Sequence, residues 1–202
     1  DIPLLLVTGG SQGARHLNQV VCRALPDLLP HCQVMQISGK QLYQETLELS
    51  EQMLADVDEA TKRRYRLVAY LNEEMPMAMQ SAELVLCRSG AATLSELAVL
   101  GKPCILVPLP PAIGSSPQEA NAEMFGRKKA AEVIRDADLK RETLIDRVKY
   151  IITSKSLLQD MTKSVSAFAK PNATQEIIDI VIQMADYHRA KKSGQHAKDA
   201  SN

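Results

Sequence analysis

Three segments of the sequence combine glycines or other small residues with polar side chains, a combination that suits phosphate binding. The first is the stretch TGGSQGAR at residues 8–15, directly after an apolar run. Glycines let the backbone turn tightly, so that free N–H groups at a helix start point toward an anion. Ser11 breaks the G-x-G-x-x-G spacing of dinucleotide sites, and no Gly-Lys-Ser/Thr follows as in a P-loop. The spacing therefore leaves two interpretations open, an anion-binding turn or a plain tight turn into a helix.

The second segment is CRSGAATLSE, at residues 87–96. An apolar run ends there, Ser89 and Gly90 make a turn, and small residues open a helix. Small side chains leave the first helical N–H groups accessible, and these groups with the helix dipole suit a diphosphate. Glu96 falls nearly two turns into this helix, where its carboxylate could accept hydrogen bonds from the two vicinal hydroxyls of a ribose. The alternative is an exposed helix carboxylate without a ligand.

The third segment follows another apolar run and contains a loop rich in Pro, Gly and Ser at residues 111–117. Beyond it, Gln118 and Asn121 are spaced three apart and share one face of a predicted helix start. Their amides both donate and accept, so they suit sugar hydroxyls and an N-acetyl group. Helix capping by Ser115 or Ser116 is the alternative explanation for the polar residues here.

Composition narrows the classes of function. The 202 residues carry 24 basic and 24 acidic side chains, so the net charge of zero argues against nucleic acid as a partner. Apolar runs are too short to span a bilayer, and no signal peptide opens the chain. The four cysteines, Cys22, Cys32, Cys87 and Cys104, have no CxxC spacing and lie in apolar segments. We interpret them as buried free thiols, which fits a reducing cytoplasm.

Short apolar runs alternate with helical periodicity along most of the chain. This alternation predicts an α/β fold, with a parallel sheet covered by helices on both faces. We expect one domain over residues 1–190 and a disordered polar tail over 191–202. The start at Asp1 without Met is interpreted as a cut inside a longer protein. Strands are expected at 3–8, 32–38, 65–69, 84–87, 103–107 and 131–134, and helices at 13–29, 41–54, 75–81, 92–100, 118–129, 139–153, 156–169 and 173–190.

These segments together resemble the C-terminal domain of the family-28 glycosyltransferases. The resemblance rests on the motifs LLLVTGGSQGARHLN, LVLCRSGAATLSELAVLGKPCILVPLP and QEANA, in this order and spacing. It covers residues 3–134 and, more loosely, the helices beyond. It implies a Rossmann-like domain that is the donor-binding half of a GT-B fold. The members that it resembles most transfer GlcNAc from UDP-GlcNAc to a lipid-linked acceptor, lipid I to lipid II, in bacterial peptidoglycan synthesis.

The resemblance also implies roles for individual residues. Ser11 would contact the donor diphosphate, the helix start at Ala91, Ala92 and Thr93 would bind its phosphates, and Leu94 and Ser95 belong to the same donor-binding segment. Glu96 would hold the ribose, and backbone atoms of Leu71 would contact the uracil. Gln118 would contact the GlcNAc, with Asn121 beside it. The family's loop before Gln118 usually carries His and acidic residues, and residues 111–117 carry neither.

The implied reaction is an inverting transfer without a metal or other cofactor, in agreement with the absence of an Asp-x-Asp motif from these loops. The general base belongs to the N-terminal domain of the family, which also binds the acceptor and the cytoplasmic face of the membrane. This chain alone is therefore expected to bind donor and to transfer little or nothing. Three alternatives stay open: the free-standing catalytic subunit of a two-chain lipid-linked GlcNAc transferase, a non-catalytic nucleotide-sugar-binding module, and an epimerase-like relative. The four histidines are expected outside the site, with His16, one turn into the first helix, as the single candidate exception; a histidine on a helix face is ordinarily structural or solvated.

Overall fold

A computed structural model describes residues 2–110 and 118–199, with side chains to residue 187. Six parallel strands form one sheet in the order β3-β2-β1-β4-β5-β6. The strands are β1 (Leu4–Thr8), β2 (Gln33–Ile37), β3 (Tyr65–Val68), β4 (Leu84–Cys87), β5 (Cys104–Leu106) and β6 (Ala131–Val133). The predicted α/β fold is confirmed, and each strand lies within its predicted range.

The helices that precede residue 170 connect and cover the strands, and one further helix follows them in the chain. They are α1 (Arg15–Leu28), α2 (Tyr43–Met53), α3 (Glu59–Lys62), α4 (Met75–Ser81), α5 (Ala91–Leu100), α6 (Gln118–Arg127), α7 (Arg141–Ile152), α8 (Lys155–Ser166) and α9 (Ala173–Asp199). Two 3₁₀ turns, Lys40–Leu42 and Asp136–Asp138, precede α2 and α7. The sequence pattern did not predict α3 or the second 3₁₀ turn, because each is shorter than two helical turns and carries no full period.

The central strands β1 and β4 are buried on both faces, as the alternation of their side chains shows. In β1, Leu5 and Val7 point into one apolar cluster, which contains α1 and α7 residues, whereas Leu6 points into the other. In β4, Leu86 and Val85 divide in the same way. The second cluster receives residues of α4, α5 and α6. Continuous apolar strands of this kind require helices on both sides of a parallel sheet.

Two compact units make up the chain, Asp1–Ala169 with the whole sheet and Lys170–Asn202 with α9. The helix predicted to end at Ala190 continues to Asp199, and the tail expected over 191–202 stays a prediction. The sequence there contains Ala, Lys and Gln and no proline, which favours a continued helix. Residues 200–202 lie outside the described range, and the placement of a domain boundary at residue 190 stays a prediction.

Candidate functional site

A cleft lies at the carboxyl ends of the two central strands. Its volume is about 610 Å³, and Thr8 and Cys87, the last residues of β1 and β4, line it. Between β1 and β4 the strand order changes direction, and doubly wound sheets bind ligands at this switch point. The full lining is Thr8, Gly9, Gly10, Gln12, Gly13, Ala14, Arg15, His16, Gln19, Cys87, Arg88, Gly90, Thr93, Leu109, Gln118 and Asp136.

A glycine turn precedes α1, and the first N–H groups of this helix are accessible from the cleft. Gly13 has a φ of +78°, and a Cβ there would lie 2.1 Å from the backbone oxygen of Ser38. The first helical hydrogen bond runs from the Asn18 N–H to the Ala14 carbonyl. No side chain caps the helix and no acidic residue lies in its first turn. The N–H groups of residues 15–17 are therefore available to an anion.

The start of α5 has the same character. Gly90 is its N-cap, no side chain caps it, and its first turn has no acidic residue. The Leu94 N–H donates to the Gly90 carbonyl at 3.0 Å, which leaves the N–H groups of residues 91–93 without a helical partner. Within residues 2–110 and 118–199, a Cβ on Gly90 would meet no atom within 4 Å. By contrast, side-chain oxygens of Asp58 and Ser154 cap α3 and α8.

The predicted phosphate-binding residues take different positions around these helix starts. Thr93 lines the cleft. Ser11, Ala91 and Ala92 are exposed beside it, and their side chains are not part of its lining. Leu94 is buried in the apolar core and its N–H belongs to the helix, so it has a packing role and offers no polar group to a ligand.

A second depression, of about 440 Å³, lies between α4 and α5. Its lining is mostly apolar, and Ser95 and Glu96 of α5 contribute to it. Within the described part of the chain Glu96 makes no hydrogen bond or ion pair, whereas the Ser95 hydroxyl donates to the Ala91 carbonyl. The remaining lining residues are Asn72, Met75, Pro76, Met79, Val99 and Leu100.

Leu71 precedes this lining and is half-buried against the second apolar cluster. Of the residues around it, the sequence pattern singled out Met75 as part of a helix start but gave no reason to select Met79 or Val99. Both belong to apolar helix faces, which are ordinarily core. The depression could have been found only by knowing that α4 and α5 lie side by side.

Gln118 lines the cleft, and part of its amide is already used. Its Oε1 accepts from the Leu109 N–H at 3.0 Å, and its backbone carbonyl accepts from the buried Ser89 hydroxyl at 2.7 Å. Asn121 Nδ2 donates to the Ser89 carbonyl at 3.1 Å. These bonds fix the start of α6 against the turn before α5. Among the described residues the Gln118 Nε2 and the Asn121 Oδ1 have no hydrogen-bond partner, and of these two residues only Gln118 lines the cleft. The capping alternative involving Ser115 or Ser116 lies outside the described residues.

An ionic cluster at the cleft escaped the sequence analysis. Arg88 Nη1 lies 2.6 Å from Asp136 Oδ1, and His16 Nδ1 lies 3.1 Å from Asp136 Oδ2. The same Arg88 nitrogen donates to the carbonyls of Val107 and Pro108, both at 3.2 Å. His16, the candidate exception among the histidines, lines the cleft. Asp136 gave no signal, because it lies in a short polar turn that resembles any solvated loop.

The four cysteines are buried and free, as predicted. Burial raises the pKa of Cys32 to about 12 and that of Cys22 to about 11. Burial, with a smaller contribution from the Glu96 charge, raises the pKa of Cys87 to about 12. Among the described residues no group of three His, Cys, Asp or Glu side chains could hold a metal ion, and no helix is long and apolar enough to cross a membrane.

The fold and the cleft together place the chain in the class of doubly wound α/β domains, in which helix starts beside the switch point accept an anionic ligand. The family follows from the sequence. The model of the glycosyltransferase family 28 C-terminal domain matches residues 4–177, and the chain belongs to this family.

Similar proteins agree with this assignment. A UDP-N-acetylglucosamine–N-acetylmuramyl-(pentapeptide) pyrophosphoryl-undecaprenol N-acetylglucosamine transferase of Desulfitobacterium hafniense is 38% identical over 192 residues, which are 92% of this chain and 49% of that protein. The protein of the same name from Natranaerobius thermophilus is 32% identical, over 90% of this chain and 48% of its own length. The chain thus spans about half the length of the curated relatives it matches.

Solved structures show the same fold. The crystal structure of Acinetobacter baumannii MurG matches 91% of this chain and 50% of its own, with a TM-score of 0.76 and 28% identity. A UDP-GlcNAc 2-epimerase from Neisseria meningitidis, bound to UDP-GlcNAc, matches with a TM-score of 0.64 over 91% of this chain and 44% of its own. At 11% identity that likeness concerns the fold alone.

Proposed function

We propose that this chain is the donor-binding half of a glycosyltransferase that transfers GlcNAc from UDP-GlcNAc to a lipid-linked acceptor. The observation that carries the proposal is the pair of uncapped helix starts, α1 and α5, at one cleft of a family-28 domain. The N-acetylglucosamine transferases named above supply the donor and the acceptor class, since their names specify a pyrophosphoryl-undecaprenol.

The geometry suits a uridine diphosphate in one orientation. Its diphosphate lies at the N–H groups of residues 15–17 and 91–93, with Thr93 beside it. Its nucleoside lies in the apolar depression, with the ribose hydroxyls at Glu96. Thr93 and Glu96 are three residues apart on α5, about 4.5 Å along its axis, so the ribose and the first phosphate can contact one helix together. Ser11 and the Leu71 backbone stay the proposed neighbours of the diphosphate and the uracil.

The sugar extends from the diphosphate toward Gln118. In this arrangement the Gln118 Nε2 donates to a GlcNAc oxygen while its Oε1 keeps the bond from the Leu109 N–H. Asn121 contributes indirectly, because its Nδ2 donates to the Ser89 carbonyl and so positions the turn before α5. Because these bonds hold α6 against the turn before α5, the proposed sugar contacts and the proposed diphosphate contacts keep a fixed position relative to each other.

The proposed reaction is an inverting displacement. An acceptor hydroxyl attacks the anomeric carbon, and the bond to the UDP oxygen breaks with inversion at that carbon. Negative charge grows on the departing diphosphate, and N–H groups already directed at it stabilise the transition state without reorganising. The chemistry needs no metal under this proposal. The general base, the acceptor site and the contact with the cytoplasmic face of the membrane belong to the other half of the protein.

The other half is either a second domain of the same chain or a separate subunit. Native mass spectrometry of the full gene product distinguishes them, since a single long chain supports the two-domain enzyme and two short chains support a two-subunit enzyme. The length of the curated relatives favours the single chain.

Calorimetric titration of the chain tests donor binding. UDP, UDP-GlcNAc, UDP-glucose and NAD are titrated in turn under the same conditions. We expect binding of the uridine compounds, tighter binding of UDP-GlcNAc than of UDP-glucose, and none of NAD. Binding of NAD without UDP would overturn the proposal.

Glu96→Ala tests the position of the ribose. Removing the carboxylate leaves the ribose hydroxyls without an acceptor, so we expect UDP binding to weaken by about 1–3 kcal/mol. Glu48→Ala is the matched control, because Glu48 is an exposed carboxylate within α2 and lines neither cavity. Equal affinities of the two variants for UDP would remove Glu96 from the site.

A further inference from the structure

One carboxylate connects the starts of the two helices that face the cleft. Asp136, in the 3₁₀ turn after β6, accepts from Arg88 at 2.6 Å and pairs with His16 at 3.1 Å. Arg88 lies two residues before the N-cap of α5, and His16 is the second residue of α1. The two contacts of Asp136 span 48 and 120 residues of sequence, so the link exists only in the folded chain.

Two of the three linked side chains, those of Arg88 and Asp136, are largely buried. The side chains of Arg88 and Asp136 are only 12% and 16% exposed, and that of His16 is 43% exposed. Arg88 also donates to the carbonyls of Val107 and Pro108. The loops after β1, β4, β5 and β6 therefore meet at this cluster, and each rotamer is fixed by a partner on a different loop.

Asp136 is a carboxylate in a cleft that is proposed to bind an anion, and like charges repel. The other charged or titratable side chains that line the cleft in the described part of the chain are Arg15, His16 and Arg88, besides the buried Cys87 thiol. Arg15 is paired with Glu45 at 3.4 Å. A carboxylate here weakens the attraction for phosphate by simple Coulomb's law. Its contribution to binding must therefore come through the groups that it holds in place.

We propose that Asp136 is a positioning residue for the diphosphate: it holds the starts of α1 and α5 at a fixed separation through His16 and Arg88. The inference rests on the proposed function and adds to it a residue that touches neither nucleoside nor sugar. Preorganised N–H donors bind an anion without the cost of ordering two independent loops. Loss of the link lets the helix starts move apart, and the diphosphate loses one set of donors.

Asp136→Asn gives a test in which two explanations predict opposite signs. Asparagine keeps the volume and one acceptor oxygen, but it removes the charge-assisted bonds that hold Arg88 and His16. Under the positioning role, the dissociation constant for UDP rises about tenfold. Under electrostatics alone, loss of a negative charge beside the diphosphate makes UDP bind more tightly.

Uridine separates positioning from general damage to the fold. The nucleoside depression contains none of the three cluster residues, so uridine affinity should change less than about twofold. Both ligands are titrated by calorimetry into the same 202-residue chain. Asp27→Asn is the matched control, because Asp27, in α1, is likewise a carboxylate paired with an arginine, Arg141, but does not line the cleft. We expect its ratio of UDP to uridine affinity to equal that of the wild type.

His16→Gln provides a second variant if Asp136→Asn does not fold. It breaks only the α1 side of the link and changes a partly exposed side chain, and we expect a rise of about threefold in the UDP dissociation constant, with uridine unchanged. Selective loss of UDP binding supports the inference. Unchanged or tighter UDP binding, or equal losses for UDP and uridine, overturns it while the proposed function stands. A wild-type chain that binds neither ligand overturns both.

Discussion

Replacing Gly13 with alanine should destabilise the chain strongly, because two separate effects meet at this residue. Its φ of +78° is a left-handed conformation, which costs a non-glycine residue about 1–2 kcal/mol. A Cβ would also lie 2.1 Å from the Ser38 backbone oxygen. That oxygen cannot easily retreat, since it accepts the buried Asn18 side-chain amide at 2.9 Å.

The magnitude follows by adding the two costs. Overpacking of a closely fitted site costs about 1–3 kcal/mol, so the total is about 2–5 kcal/mol with the backbone cost included. For a chain of this length that total lowers the melting temperature by about 4–20 °C.

Gly10→Ala isolates the backbone cost. Gly10 lies in the same turn with a φ of +84°, but a Cβ there would meet no atom within 4 Å. We expect a loss of about 1–2 kcal/mol, or about 2–8 °C. Thermal unfolding followed by circular dichroism, with urea unfolding as a second measure, compares the two variants. Equal destabilisation would refute the argument that close contact between the two loops, rather than φ alone, demands glycine at residue 13.

Two further predictions concern the α5 start and the thiols. Gly90→Ala should change stability by no more than about 1 kcal/mol, since the φ of −67° at this residue suits alanine. It should weaken UDP binding about tenfold, because the added methyl group lies in front of the N–H groups at the start of α5. Thermal unfolding measures the stability and calorimetry the affinity, and an unchanged affinity would contradict the proposed diphosphate position. The raised pKa values of Cys22, Cys32 and Cys87 predict no reaction of native thiols with a chromogenic disulfide at pH 8, and reaction of all four after denaturation. The native thiols keep protons that the unfolded chain releases, so the free energy of unfolding should fall as pH rises above about 9. The limiting slope is about 1.4 kcal/mol per pH unit for each thiol. Urea unfolding between pH 8 and 10.5 checks the sign, and a stability that increases with pH would contradict this prediction.

Local pattern in the sequence was sufficient for all six strands and for the helices longer than one turn, but not for α3 or for the end of α9. The face of α1 formed by Leu17, Val20, Val21, Ala24 and Leu28 is buried, as its helical periodicity predicts. Glycines mark the turn before α1 and the end of α5, where Gly101 has a φ of +63°. Alternation of strand and helix predicts a parallel sheet, and therefore a site at the carboxyl ends of its strands. Each of these inferences depends on residues close together in the chain.

The family resemblance also identified the two segments that meet at the cleft, residues 8–15 and 87–96. It could not tell which of their residues face the ligand space. Thr93 does and Leu94 does not, because a helix turns by about 100° per residue and its rotation is set by the packing of Leu94 and Leu97 on the sheet. The amides of Gln118 and Asn121 were expected to serve a sugar, and each already has a bond to the backbone of a neighbouring loop.

The sequence by itself thus determined which segments turn, which cover the sheet and which edge of it carries the site. Only the tertiary structure decided that His16, Arg88 and Asp136 form one cluster, since the order of six strands brings together loops that lie 48 and 120 residues apart. Periodicity reports how a segment is buried, but not which loop lies opposite. Pairing between polar groups depends on that second fact, because a hydrogen bond needs its partner within about 3 Å.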